Sequence, residues 1–303
     1  MIIFMKTVIY IISILMSVAF FTLFERKILG YIQIRKGPNK TSFKGSIQPF
    51  SDAVKLILKE SVLLKESSNI MYFISPIFSL SVSLITWMSL SSSFGSFEIF
   101  LSMVFLLCCL SFNVYSLMSA SWASNSKYSM LGGLRAVAQT ISYEVSLIII
   151  LMSLIILANS FNLYKFNLFK EWFIFMAIPL GVIWLVSSLA ETSRTPFDFS
   201  ESESELVSGF NTEYSSGGFV LFFLAEYSNI LFMSAFFASV FCAASESNFV
   251  LKLMSISFLF IWVRGTLPRF RYDKLMSLTW KVFLPSSLNY LILFLGIKSL
   301  TMI

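Results

Sequence analysis

The sequence predicts an all-α, polytopic transmembrane helical bundle of about eight spans, with amphipathic helices in the loops of one face. It reads as a single integral membrane domain over residues 1–303. Three observations carry this. Of the residues, 57% are hydrophobic and 13% charged, against roughly 45–50% apolar and about 25% charged in soluble domains. Apolar stretches of the length needed to cross roughly 30 Å of hydrocarbon recur along the chain. Basic residues collect beside alternate stretches, the asymmetry that sets membrane topology.

The candidate spans are Ile3–Phe24, Ile70–Leu90, Ile99–Met118, Ala136–Ala158, Trp172–Leu189, Phe219–Cys242, Phe249–Val263 and Lys281–Leu300. The first holds only Lys6 and runs straight into Glu25-Arg26-Lys27, with no small-residue cleavage site, so it reads as a span and not a signal peptide. The seventh is short and carries Lys252 near one end, where local thinning or snorkelling would accommodate it. Eight crossings return both termini to one side. Of the 22 basic residues, all but Lys6, Lys165, Lys170, Lys252 and Lys298 fall in or beside the first, third, fifth and seventh loops. The positive-inside rule places those loops in the cytoplasm or, in an organelle, the matrix. The net charge of +6 is therefore a topology signal and not a nucleic-acid footprint.

Within the first loop, Glu25 to Asn69, the residues Phe50, Val54, Ile57 and Leu58 recur at helical spacing while Asp52, Lys55 and Lys59 face elsewhere, and Pro49 suits a first helical turn. The pattern predicts a helix lying at the membrane surface.

Several chemistries are disfavoured. Cys108, Cys109 and Cys242 sit inside apolar runs without a CxxC pattern, and histidine is absent. Disulfide frameworks, zinc and iron–sulfur sites and histidine-ligated haem do not fit. Neither a P-loop nor a GxGxxG fingerprint occurs, so nicotinamide chemistry would reside in another chain.

Two acids stand where lipid would penalise them. Glu144 lies roughly 13 Å into the fourth span and Glu226 roughly 10 Å into the sixth, at ~1.5 Å per residue. Ionisable groups at such depth face the bundle interior and mark ion or proton paths. A protonated acid held by Gln139 and Thr140 is the purely structural alternative for Glu144. The fifth loop adds Glu191 at the close of its span, then Asp198, Glu201, Glu203, Glu205 and Glu213. Crowded carboxylates raise one another's pKa values, and Phe197, Phe199, Leu206, Val207 and Phe210 flank them, unlike a freely solvated loop.

Residues 25–39 read ERKILGYIQIRKGPN, 121–145 SWASNSKYSMLGGLRAVAQTISYEV, 189–214 LAETSRTPFDFSESESELVSGFNTEY, 225–230 AEYSNI and 268–281 PRFRYDKLMSLTWK. Collinear over nearly the whole chain, these stretches resemble the subunit 1 family of NADH:ubiquinone oxidoreductase, respiratory complex I, in its mitochondrially encoded form. The resemblance implies a core membrane subunit in the mitochondrial inner membrane, with both termini on the intermembrane-space side. It would form the membrane end of a tunnel for ubiquinone and help couple quinone reduction to proton pumping. No cofactor is expected on this chain: NADH, FMN and iron–sulfur clusters would belong to partner subunits. Those partners are the peripheral quinone-site subunits and the antiporter-like membrane subunits, alongside the lipid bilayer.

By the same resemblance, Arg26, Arg35 and Ala53 fall at tunnel positions. Glu144, Glu191, Asp198, Glu201, Glu203, Glu205, Glu213 and Glu226 match the acidic route from the quinone cavity to the membrane arm. Two positions depart from the family pattern without removing a charge: Ser193 stands where members commonly have Asn, and Ser202 where many have Gly. Losing that glycine narrows the backbone angles open to the loop. On the residues alone two other classes stay open. An ion-translocating subunit of a related membrane-bound hydrogenase would share the fold, and a secondary transporter would use intramembrane carboxylates for a coupling ion and show internal symmetry, of which there is no sign.

Overall fold

The computed structural model describes residues 2–62, 65, 67–90, 99–168, 172–200, 209–242 and 248–301. Among these every regular element is helical. The first loop holds a 3-10 turn at Phe43–Gly45 and α2 (Gln48–Ile57), after α1 (Ile2–Ile32). Then come α3 (Asn69–Ser89), α4 (Ser102–Ala123), α5 (Lys127–Ala158), α6 (Leu163–Leu168), α7 (Phe173–Met176) and α8 (Ile178–Glu191). A 3-10 turn at Gly209–Asn211 precedes α9 (Ser216–Phe241) and α10 (Phe249–Thr266). The last helix runs as α11 (Tyr272–Leu278), a π turn (Thr279–Phe283) and α12 (Leu284–Thr301). Seven of these helical stretches are long and apolar enough to cross a membrane, and α8 is a shorter apolar helix.

The helices overrun the apolar stretches that mark the spans, because hydropathy reports lipid contact whereas capping decides where a helix ends. The first helix continues past Phe24 to Ile32, so the ERK residues are helical. Its end is a Schellman arrangement: Ile34 takes φ 56° and Arg35 N–H donates to the Gly30 carbonyl at 2.8 Å. The fourth predicted span begins at Lys127 and not Ala136, with Ser126 as N-cap accepting from the Ser129 N–H and Asn159 left-handed at its C-cap. The fifth predicted span is not one continuous rod. Its chain breaks at Ala177 (φ −141°, ψ 55°) between α7 and α8, where Pro179 sits in the first turn of α8. In the last helix Pro285 has no N–H to offer Lys281, and the Leu284 N–H reaches back to Thr279, which widens one turn into π geometry.

At the centre lie α5 and α9, which bury 56% and 61% of their most apolar stretch, against 17% for α1. Around them α3 packs on α4 and α9, α4 and α12 on α5, and α10 on α9 and α1. Trp184 of α8 is fully buried against Phe236, Phe237 and Phe241 of α9, with ring centroids 5.5, 5.5 and 6.0 Å away. Each such ring pair contributes about 0.5–1.5 kcal/mol beyond its contact area. Serines supply close approach: Ser79, Ser83, Ser153, Ser187, Ser234 and Ser239 are buried, and each donates to a carbonyl one turn back in its own helix. Their polar groups are thereby satisfied in lipid, and their small size lets helix backbones pack tightly. The Lys252 ammonium donates to the Cys242 carbonyl at 2.7 Å, closing the end of α9, and lies 5.1 Å from the Trp172 ring centroid.

Candidate functional site: a buried chain of acids and arginines

Two of the predicted acids, Glu191 and Glu226, meet between α8 and α9, and a third, Glu144, lies on the neighbouring α5. Glu191 is the last residue of α8 and is 6% exposed, and neither of its carboxylate oxygens has a hydrogen-bond partner among the described residues. It lines a narrow cavity of about 30 Å³ together with Glu226, Ser79, Asn113, Thr192 and Ser200. The hydroxyl of Ser200 is also buried without a partner there. Glu144 lies within electrostatic reach of Glu191.

The placement of Glu144 refines the expectation of an interior-facing acid. It is half-buried and lines a groove of about 250 Å³ between α4 and α5, with Val104, Cys108, Ser111 and Ile148. Glu191 and Glu226 thus face inward while Glu144 faces the flank of this chain. The expected helpers of Glu144 are engaged elsewhere. The Gln139 side-chain amide donates to the Ala190 and Phe197 carbonyls at 2.8 and 2.7 Å, pinning α8 and the fifth loop to α5. The Thr140 hydroxyl donates within α5 to Ala136 and Val137.

From Glu226 a chain of charges runs towards the first loop. Arg194 Nη2 lies 3.8 Å from Glu226 Oε2, and its guanidinium stacks on the Tyr227 ring at 4.4 Å from the centroid. The Tyr227 hydroxyl donates to Glu25 Oε2 at 2.6 Å, and Arg264 of α10 pairs with the other oxygen of Glu25. Glu25 is 5% exposed and also feels the charge of Arg194. Two arginines and a phenol therefore compensate a buried carboxylate, as its burial requires.

The fifth loop anchors this chain. Asp198 accepts from Arg269 Nη2 at 3.1 Å, and the Phe270 N–H donates to the Pro196 carbonyl at 3.0 Å. Phe197 stacks on Phe270 at 5.5 Å, and Phe197, Phe199 and Phe210 are all buried, unlike residues of a freely solvated loop. Ser193 adopts φ 47°, a left-handed conformation that Asn tolerates better than Ser. Glu213 is half-buried and its backbone carbonyl accepts from the Tyr72 hydroxyl at 2.8 Å. Tyr214 stacks on Tyr72, donates to the Ala120 carbonyl at 3.3 Å and shares a 2.9 Å hydrogen bond with Ser75; burial pushes its phenol up to about 12. Glu201, Ser202, Glu203, Glu205, Leu206 and Val207 lie outside the described residues.

The tunnel candidates stand apart from the acids. Arg26 is exposed and pairs with Asp52 of α2 at 2.5 Å, and Asp52 accepts from Gln48 at 3.0 Å. Ala53 is half-buried on α2, which packs on α1 and α9, with Phe50 edge-on to Phe20 at 6.1 Å. As predicted, α2 is amphipathic with Pro49 in its first turn. Its apolar residues Val54, Ile57 and Leu58 remain exposed on this chain. Arg35 is exposed just beyond α1.

Sequence reasoning did not single out Glu25, Arg194, Arg264, Tyr227 or Gln139 as site residues. Glu25 and Arg264 sit at the ends of spans, where charges look like ordinary interfacial residues, and Gln139 and Tyr227 are uncharged residues within spans, where nothing local marks a role.

A family model described as NADH dehydrogenase matches residues 5–295. Over 292 residues the chain is 60% identical to NADH-ubiquinone oxidoreductase chain 1 of Anopheles gambiae, covering 95% of this chain and 93% of that protein. It is 55% identical to the protein of that name from Locusta migratoria, with 95% and 93% covered, and 49% identical to that from Tetraodon nigroviridis, with 93% and 91% covered.

Proposed function

The chain belongs to the NADH dehydrogenase family, as a membrane subunit of an NADH:ubiquinone oxidoreductase, and from that premise we propose that it forms the membrane part of the quinone tunnel and couples quinone reduction to proton pumping through its acids. In this reading it sits in the mitochondrial inner membrane with the basic loops in the matrix and both termini on the intermembrane-space side. Ubiquinone is its substrate, and the electrons arrive from clusters in peripheral partner subunits.

One observation carries the coupling role: Glu191, buried with neither oxygen hydrogen-bonded among the described residues, shares a polar cavity with Glu226 and reaches Glu144 electrostatically. The cavity is large enough for a water molecule and polar enough to hold one. Chains of intramembrane carboxylates are the usual substance of proton relays. Charge developing on quinone near α1 and α2 is felt first by Glu25 and its arginines. Arg194 then has two carboxylates within reach, Glu25 and Glu226, and a shift between them changes the field at Glu191. Glu144, at the flank, hands that change to an antiporter-like neighbour. Asp198 holds the loop to Arg269, and Glu201, Glu203, Glu205 and Glu213 extend the acidic route towards the tunnel.

Glu144→Gln in the assembled complex tests the route. The expected result is unimpaired electron transfer from NADH to an artificial acceptor with a reduced proton-to-electron ratio. A full ratio would remove Glu144 from the path. For the tunnel, a photoreactive quinone-site inhibitor in native membranes should label the stretch from Arg26 to Lys59; label confined to other subunits would demote this chain to a proton-path or scaffold role.

A further inference from the structure

The largest of the cavities described lies away from the acids, between α3 and α4, with a volume of about 610 Å³. Its walls include Met71, Ile74, Phe78, Tyr115, Met118 and Trp122. Serines contribute to the lining, but their hydroxyls turn away from the guest. Ser75 bonds Tyr214 at 2.9 Å, and Ser119 donates to the Ser116 carbonyl at 2.9 Å. The groove thus offers hydrocarbon contact and almost no directional partner. Met71, Tyr115 and Trp122 are more than half exposed on this chain, so it opens to the surroundings of the bundle.

Two exposed lysines lie three and four residues in sequence from the lining residues at one end of the groove. The Ser68 N–H donates to the Ala123 carbonyl at 3.2 Å, which fixes the start of α3 beside the end of α4. Exposed Lys65 lies just before Ser68, and exposed Lys127 just after Ala123, at the first residue of α5. Both belong to the basic face of the protein. Trp122 stands at the same end, and an indole suits the boundary between hydrocarbon and head groups.

We propose that this groove binds an anionic phospholipid, its acyl chains along Met71, Phe78 and Met118 and its phosphate between Lys65 and Lys127. An apolar slot between membrane helices with cations at its inner-leaflet end has the chemistry that selects anionic lipid. Its volume lies within the ~300–1,000 Å³ of ordinary ligand sites. A neighbouring membrane helix would fill the apolar part but bring no anionic group to the two lysines. The proposal is independent of the quinone and proton readings.

The test uses the assembled complex in nanodiscs containing a phosphatidylglycerol analogue with a photoreactive acyl chain, or the matching phosphatidylcholine analogue. Label should map to residues 68–78 and 115–123, with the anionic analogue preferred by about thirtyfold, the combined effect of two lysines near the surface. The double variant Lys65→Gln/Lys127→Gln should abolish the preference. Where that variant fails to assemble, competition of the wild-type label by unlabelled phosphatidylglycerol against phosphatidylcholine reads the same preference. Equal labelling by both lipids would overturn the proposal as ordinary boundary lipid. So would cross-links from these residues to another subunit only, or displacement of the label by a long-tail quinone and not by phosphatidylglycerol.

Discussion

Arg194 lies over the ring of Tyr227, 4.4 Å from its centroid, and the hydroxyl of that same ring donates to Glu25 at 2.6 Å. One side chain thus serves two charges of opposite sign, the arginine through its face and the carboxylate through its edge. Tyr227→Phe keeps the face and removes the donor. A hydrogen bond to a charged group is worth about 1.5–3 kcal/mol, and thermal unfolding of the purified complex should show a loss of that size. An unchanged melting temperature would mean that Arg264 and Arg194 suffice to hold Glu25.

Arg26→Ala separates stability from ligand binding. The Arg26–Asp52 pair is exposed, with 53% and 32% of the side chains open, so its stability contribution is about 0–1 kcal/mol. Assembly and melting temperature should be nearly unchanged, while affinity for a quinone-site inhibitor falls. Titration of inhibition in the assembled complex reads this directly, and unaltered affinity would remove Arg26 from the tunnel.

Gly132→Ala tests how closely the fifth loop must approach α5. A Cβ at Gly132 would stand 2.9 Å from the Gly209 Cα and 3.1 Å from the Phe210 nitrogen, backbone atoms that cannot swing aside. Overpacking of this kind costs about 1–3 kcal/mol. The expected outcome is a lower melting temperature and easier proteolysis within the loop, measured against the wild-type complex. An alanine variant with wild-type protease resistance would show that the loop can shift without cost.

The spans and the intramembrane acids were legible in the sequence because both are local signals. A run of apolar residues reports lipid, and Glu144 or Glu226 inside one breaks the pattern. The partner of each acid was not legible. Glu25 and Arg264 look like interfacial charges on helices far apart in sequence, and only the packing of α10 against α1 makes them a buried pair. Gln139 looked like a companion for Glu144 because it is near in sequence; the helix turns it towards Ala190 and Phe197 instead. The break at Ala177 was hidden for the opposite reason, since Phe173 to Val186 is apolar throughout and hydropathy does not register backbone angles.

Tyr214 ties α3, α4 and the fifth loop together and gives a pH-dependent prediction. Its burial raises the phenol from 10.0 to about 12, so the folded state favours the protonated form more than the unfolded chain does. A group with a raised folded pKa contributes stability that is fully present below its unfolded value and lost as pH rises through its folded value. The contribution of Tyr214 should therefore be constant below pH 10.0 and disappear on approaching about pH 12. Tyr214→Phe removes the bonds to Ser75 and Ala120 and, with them, about 0.5–1.5 kcal/mol each at neutral pH. It also removes the ionisable group. The gap in melting temperature between wild type and variant should hold steady up to pH 10.0 and narrow beyond it. A gap that stays constant through that window would mean that the phenol is as accessible to hydroxide in the folded protein as in the unfolded chain, and that its stacking on Tyr72 does not bury it.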